Sequence, residues 1–238
     1  FNNLSKVAAK ELKTDISNII SASLYRKSVD ARRKNDVHFC CSVLIDTKNE
    51  QAVLKKNKNA QIYRKPEYVW QKCDGFSGKR PLIVGFGPCG IFCAYTLAKA
   101  GLKPIVIERG ADVDTRTKDV NAFLNGGELN TESNVQFGEG GAGTFSDGKL
   151  YTRSNKRGNV NEILETFVEF GADEDILIDA HAHIGTDRLS RIIKNIRAKI
   201  LECGGEYHFN SKVIDFLLKD NCVYGVKLAD GSTLEAKS

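Results

Sequence analysis

The segment Leu82-Ile-Val-Gly-Phe-Gly-Pro-Cys-Gly90 limits the possible folds of this chain more than any other. The apolar run Leu82–Val84 predicts a short buried parallel strand, and Gly85, Gly87 and Gly90 give the spacing G-x-G-x-x-G. Ile91–Ala100 predicts a helix stopped by Gly101, Pro104–Ile107 predicts a second strand, and Glu108 ends it. Each glycine has its own task. Gly85 permits the tight strand-to-helix turn, Gly87 lets a pyrophosphate approach the backbone, and Gly90 lets helix and strand pack closely. Pro88 suits the first helical turn, where its missing N–H costs nothing. The helix N-terminus that follows offers N–H groups and partial positive charge to an anion. In such units an acid about 20 positions on binds ribose hydroxyls, and Glu108 holds that place. The pattern predicts a dinucleotide site without choosing the dinucleotide.

At 238 residues the chain has room for one or two domains, each with a real core. Its 41% hydrophobic and 27% charged content is that of an ordinary soluble protein. No apolar run approaches the ~20 residues of a membrane helix, and residues 1–13 are too polar for an export signal. A cytoplasmic protein that does not engage membranes is expected. Charge is unevenly spread: residues 1–80 carry 17 Lys/Arg against 8 Asp/Glu, the remainder 18 against 22. This shift and the turn-rich stretch 72–81 place a boundary near residue 76. A small basic α+β domain (1–76) is expected to precede a dinucleotide-binding domain (77–238). In the first, Leu4–Leu12 has helical periodicity, and Ile19–Lys27 and Val37–Thr47 have strand patterning. The basic runs Arg32–Lys34 and Lys55–Lys58 lack interleaved aromatics for base stacking. They predict solvated loops and argue against nucleic acid as a partner, while attraction of an acidic partner or anionic substrate stays open.

After Glu108 the pattern leaves that of a nicotinamide dehydrogenase. Residues 110–157 predict a long polar loop centred on Asn134-Val-Gln-Phe-Gly-Glu-Gly-Gly-Ala-Gly-Thr-Phe-Ser-Asp-Gly148. A glycine-dense loop of this length is functional or disordered, and Phe137, Phe145 and Leu150 argue for order. Its small residues let main chain lie against a large flat ligand. Beyond it, Val160–Phe170 predicts a helix closed by Gly171, and Ile176–Ala180 a strand. Thr186 is placed as the cap of a helix to Cys203, before four short strands at 206–209, 212–218, 222–228 and 233–236. Lys219-Asp-Asn221 and Asp230-Gly231 predict hairpin turns. The seven cysteines show neither CxxC nor zinc spacing and are expected to be reduced, small apolar residues. Cys40 and Cys41 are adjacent and Cys89 and Cys93 lie one helical turn apart, so a redox-active disulfide stays open. His181 and His183 alternate at strand spacing without a nearby third ligand, so no metal site is expected. The absence of methionine and the start at Phe1 lead us to expect a piece of a longer polypeptide.

One fingerprint, a long glycine-rich insertion, then a helix and a β-meander resembles the glutathione-reductase-type FAD fold, an α/β Rossmann-like domain. More closely, the chain resembles a bacterial family of FAD-dependent, or NAD(FAD)-utilising, dehydrogenases whose reaction is unsettled. The resemblance is carried by Val84–Gly90, Val106-Ile-Glu-Arg-Gly110, Arg116-Thr-Lys-Asp-Val120, His183-Ile-Gly-Thr-Asp187 and Arg26–Lys34. The run Leu129–Leu150 is its most selective part. The resemblance implies FAD, with the pyrophosphate over Gly85, Gly87, Pro88, Cys89 and Gly90. The adenine ribose would lie on Glu108, beside Arg109. It also implies that Gly140, Gly141, Ala142, Gly143, Thr144 and Ser146 lie near the pyrophosphate and flavin, and that Val213 offers backbone groups to adenine. Relatives often have Ala at the position of Cys89, a similarly small residue. The implied function is an FAD-dependent oxidoreductase passing hydride through flavin N5, with NAD(P)H as donor and an unknown small-molecule substrate. No catalytic acid or base is assigned. The alternatives are a non-catalytic binding protein on the same fold and a tRNA-modifying flavoenzyme. Relatives are expected to continue past residue 238 with a further strand and a substrate domain.

Overall fold

The computed structural model describes residues 3–65, 67, 69–75, 78–150, 152 and 158–236. It divides into two compact units, one of Phe1–Tyr68, Leu150–Glu165 and Asp173–Ala182, the other of Val69–Lys149, Thr166–Ala172 and His183–Ser238. The boundary expected near residue 76 falls at positions outside the described residues.

In the first unit, helix α1 (Leu4–Glu11) buries Ala8 and Ala9. Strands β1 (Ile19–Asp30) and β2 (His38–Thr47) pair antiparallel, with Asp30 opposite His38 and Ser28 opposite Cys40. Helix α2 (Glu50–Lys56) is capped by Asn49, whose side chain accepts from the Ala52 N–H at 3.0 Å. Lys55 and Lys56, expected in a solvated loop, form its last turn, where cations meet the negative end of the helix dipole. The strand expected at Ile176–Ala180 is absent. A 3-10 turn at Glu174–Leu177 stands there, buries Ile176 and has acids at its start. Only Asp179 joins a strand, bridging to Lys27 with an ion pair of 2.9 Å. Three consecutive apolar residues satisfy a turn as readily as a strand, and acids at the N-terminus tip the balance.

The second unit carries a parallel sheet of β3 (Leu82–Val84), β4 (Ile105–Ile107) and β5 (Glu206–His208), in the order β3-β4-β5. Helix α3 (Pro88–Lys99) links the first two strands, with Pro88 in its first turn and Gly101 at φ 87° past its end. The fold is therefore mixed α/β with a parallel sheet, as the sequence predicts. The stretch expected to be loop from Gly110 contains helix α4 (Val113–Leu124). Asp112 starts it, its carboxylate accepting from the Asp114 and Thr115 N–H groups. The polar composition of this helix hid it: only Val113, Arg116 and Val120 are buried. Helix α5 (Val160–Glu169) gives only its residues from Thr166 on to this unit, while helix α6 (Thr186–Glu202) follows and packs on α3. The N-cap of α6 is Gly185 at φ 87°, one residue before the expected Thr186. Ile192, Ile196 and Ile200, four residues apart, form its buried stripe. Strands β6 (Val213–Lys219), β7 (Cys222–Leu228) and β8 (Thr233–Glu235) form the expected antiparallel meander. Asp220 and Asn221, at φ 51° and 60°, give the β6–β7 turn the left-handed pair a tight hairpin needs. Val226 and Leu228 of the meander pack on Ile107, which ties it to the parallel sheet.

Two further expectations fail. Cys40, Cys41, Cys73, Cys89, Cys93 and Cys222 are exposed and Cys203 half-buried, so these thiols do not serve as small core residues. The segment with His181 and His183 is not a strand: His183 forms an isolated bridge to Lys149, pinned by the Ile184 N–H donating to the Gly148 carbonyl at 3.0 Å.

No helix among the described residues is long and apolar enough to cross a membrane.

Candidate functional site

A cleft of about 290 Å³ opens at the C-terminal ends of β3 and β4. Gly85, Gly87, Glu108, Arg109, Gly141 and Val213 line it together, although they come from four separate stretches of sequence. Ligands of open α/β sheets bind outside the carboxyl ends of the strands, and this cleft has that position. Val84, the last residue of β3, is half exposed and opens onto it.

The three fingerprint glycines do different work. Gly85 has φ 93°, a conformation that disfavours any side chain. A Cβ at Gly90 would overlap the Gly85 carbonyl, so Gly90 is there for packing of helix on turn. Gly87 has an ordinary φ of −77°, and a Cβ there would meet nothing closer than the Gly141 Cα at 3.9 Å. Its lack of a side chain serves the space of the cleft, not the fold. Gly87 is also the N-cap of α3 and makes no side-chain hydrogen bond to the first turn, where Pro88, Cys89 and Gly90 lie. That is the end of a helix that favours an anion.

The glycine-rich loop meets this turn directly. The Gly140 N–H donates to the Phe86 carbonyl at 2.8 Å, and a Cβ on Gly141 would sit 3.0 Å from the Gly87 Cα. Gly141 is the one residue of 140–146 that lines the cleft. The others shape the loop. Gly140, at φ 87°, leaves room for Thr144 and Ile193, and Gly143 approaches the Pro88 ring. Ala142 lies in the 3-10 turn Gly141–Phe145. Thr144 is buried and donates to the Glu139 carbonyl at 3.1 Å, while Ser146 donates to the Gly143 carbonyl at 2.7 Å.

Glu108 is buried and holds three backbone N–H groups. Its Oε2 accepts from the Phe86 N–H at 2.8 Å, and its Oε1 from the N–H groups of Gly110 and Gly138 at 2.9 and 3.0 Å. One carboxylate thus joins the fingerprint turn, the end of β4 and the glycine-rich loop. A carboxylate has about four acceptor positions, so a position on Oε2 remains for a ligand hydroxyl.

Two buried residues organise the loop. Arg116 is fully buried and donates to the carbonyls of Asn134 (2.8 Å), Val135 (2.9 Å) and Glu139 (2.6 Å). Burial pulls its guanidinium pKa down to about 10, still charged at neutral pH. Glu139 accepts from the Val113 N–H at 2.7 Å and from Arg197 at 2.9 Å, but its Oε1 has no partner among the described residues. Burial raises its pKa against the opposing Val113 bond and Arg197 charge.

Sequence reasoning did not place Gln136, Phe137, Ser211 and Lys212 in the cleft, yet all four line it. At the rim Arg109 lies over the Phe137 ring at 4.0 Å, and Glu132 bridges Arg109 (2.7 Å) and Lys212 (2.9 Å). These two cations hold the Glu132 carboxyl below its usual pKa, Lys212 contributing most. A lysine at the mouth of a strand carries no local signal. Only the fold brings residue 212 beside residue 109.

Residues 1–46 match a family model described as a domain of unknown function (DUF8436). The chain is 44% identical over 223 residues to an uncharacterized protein of Clostridium beijerinckii, covering 92% of this chain and 42% of that protein. It therefore spans less than half the length of that relative. Among solved structures it is similar to glycerol-3-phosphate dehydrogenase from Bacillus halodurans complexed with FAD: 14% identity, 67% of this chain, 33% of that one, TM-score 0.38. Glycine oxidase from Bacillus cereus gives 13% identity, 67% and 55% coverage and a TM-score of 0.37. A ferredoxin reductase from Rhodopseudomonas palustris gives 19%, 66%, 22% and 0.29. At TM-scores this low the likenesses carry no weight for this chain, and the cleft itself must bear the functional reading.

Proposed function

We propose that the cleft takes the adenosine-diphosphate half of FAD and that the chain is the flavin-binding part of an FAD-dependent oxidoreductase. The observation that carries this is Gly87: a position with no steric need for glycine, facing open cleft at a helix N-terminus, opposite a second glycine segment at Gly141. The residues fit the group. Main chain at Gly87 and Gly141 lets a pyrophosphate approach, and the first turn of α3 stabilises its charge. Glu108 accepts a ribose hydroxyl on Oε2, and Arg109 and Lys212 add positive charge at the rim. Val213, at the start of β6, offers backbone groups to the adenine. The antiparallel meander beside the parallel sheet is what the resemblance to a glutathione-reductase-type fold leads us to expect, and it supports this orientation. Arg116 and Glu108 keep the loop closed on the turn. When bound, FAD supplies hydride transfer at its N5, with NAD(P)H as the donor we favour.

The reading is tested by equilibrium binding of FAD, ADP and FMN. FAD should bind at one per chain, ADP should displace it, and FMN, which lacks the adenosine half, should bind weakly or not at all. FMN binding that ADP leaves untouched would refute the assignment. Anaerobic mixing of the flavin-loaded protein with NADH and NADPH then tests the donor by bleaching of the flavin absorbance.

A further inference from the structure

The open end of the β1–β2 ribbon gathers three chemically different donors. Side chains alternate between faces along a strand, so His38 and Cys40, two residues apart on β2, share a face. Asp30 is directly opposite His38, and Ser28 opposite Cys40, so Asp30 lies on that same face. One donor atom from each of Asp30, His38 and Cys40 lies within 4.8 Å of the other two. Cys41 and Phe39 belong to the opposite face.

We propose that Asp30, His38 and Cys40 form a site for a borderline-soft divalent transition ion of the Zn²⁺ class, with a fourth position open to water. Three features support it. The donor set is one carboxylate oxygen, one imidazole nitrogen and one thiolate sulfur, which suits Zn²⁺ and disfavours Mg²⁺ and Ca²⁺, which take oxygen. Bonds of ~2.0–2.3 Å at tetrahedral angles hold donors about 3.3–3.6 Å apart. The side chains need to close by at most ~1.5 Å, and His38 and Cys40 are exposed and free to do so. The His38 ring is also already oriented: its Nδ1 faces the Asp36 carbonyl at 3.1 Å and the Asp36 carboxylate at 3.3 Å. Such a contact fixes the tautomer of a ligating histidine and leaves Nε2 as the donor. A thiolate and a carboxylate together neutralise the ion.

One residue opposes it. Arg32 holds both Asp30 oxygens through its Nε, at 3.0 and 3.1 Å. Its own side chain is 88% exposed, so it can swing into solvent when an ion takes its place. Arg32 is thus a built-in competitor that sets the threshold for binding. Spacing alone hid the site, because its ligands come from two strands and meet only through the register.

The test is Co²⁺ titration of the full chain, reduced with a non-thiol reagent and freed of metal by chelation, read as difference spectra. One Co²⁺ per chain should bind with a thiolate-to-cobalt charge-transfer band, and one equivalent of Zn²⁺ should displace it. Cys40→Ser should remove the band, His38→Gln should weaken binding at least tenfold, and Asp36→Asn should weaken it about tenfold. Arg32→Ala should tighten it severalfold. Cys41→Ser, on the other face, should leave band and affinity unchanged. Circular dichroism confirms that each variant keeps its fold. A band that survives Cys40→Ser, a band lost equally in Cys41→Ser, or no charge-transfer band at saturating Co²⁺ would overturn the proposal.

Discussion

Replacing Glu108 by glutamine exchanges one carboxylate oxygen for an amide nitrogen and removes the charge. The three backbone N–H groups around that side chain leave the amide no good orientation. With its oxygen on the Gly110 and Gly138 N–H groups, its NH₂ points at the Phe86 N–H, donor against donor. The flipped amide sets two donors in conflict instead of one. Hydrogen bonds to a buried charged group contribute roughly 1.5–3 kcal/mol each, and an unsatisfied buried donor costs about 1–3 kcal/mol. Losing one such bond and weakening two gives a destabilisation of about 3 kcal/mol or more. That is a large part of the roughly 5–15 kcal/mol typical of a folded domain. With a urea slope of about 2 kcal/mol per molar, the unfolding midpoint should fall by ~1.5 M. The chain's single tryptophan, Trp70, lies in the same unit, edge-on to Tyr95 at 5.9 Å, so its fluorescence reports the relevant transition. A midpoint that moves by less than about 0.3 M would mean that the carboxylate does not join the three segments.

Glu139→Gln should behave in the opposite way. The carboxyl of Glu139 has a raised pKa in the folded state, so its contribution is fully present below the unfolded value of 4.5 and lost as pH rises through the folded one. Above that folded value the fold carries a buried charge. The glutamine oxygen can still accept from Val113 and Arg197, and the Arg197 side chain keeps contact with water. Urea unfolding should show the variant at least as stable as wild type at pH 7, with the gap closing towards pH 4; a loss above about 2 kcal/mol would mean that the Arg197 pair outweighs burial. Gly90→Ala should lower the unfolding midpoint by a cost in the overpacking range of ~1–3 kcal/mol, because its Cβ overlaps the Gly85 carbonyl. Glu132→Gln should hardly alter stability, since all three partners at the rim are at least a third exposed. It should tighten ADP binding at low salt by freeing Arg109 and Lys212, and unchanged affinity would place those cations away from the ligand.

The parts of the fold that the sequence made legible are those with a local cause. Gly101, Gly171 and the Gly204-Gly205 pair stop helices, and Asp220-Asn221 turns a hairpin wherever it occurs. Helix α4 escaped because its burial depends on Arg116, a residue that looks solvated in sequence and becomes central only once the loop carbonyls surround it. The failed strand at 176–180 had the reverse problem, being apolar enough for several conformations. In the cleft, sequence spacing pointed to Gly87 and Glu108, since both belong to one continuous strand–helix–strand unit. It could not show that Glu108 binds Gly138, or that Lys212 reaches Glu132, because loop closure across 30 and 80 residues leaves no periodic mark.

Gly87 faces the cleft where the pyrophosphate is proposed to lie. Isothermal titration of FAD into wild type and Gly87→Val, with urea unfolding of both, tests that placement directly. A Cβ there would meet the Gly141 Cα at the ordinary contact distance of 3.9 Å and valine needs no unusual φ, so the loss of stability should stay near the ~1 kcal/mol of replacing a favoured N-cap residue. Flavin binding should fall at least a hundredfold. A variant equally stable and equally able to bind FAD would show that the pyrophosphate lies elsewhere, and the assignment of this cleft would be wrong.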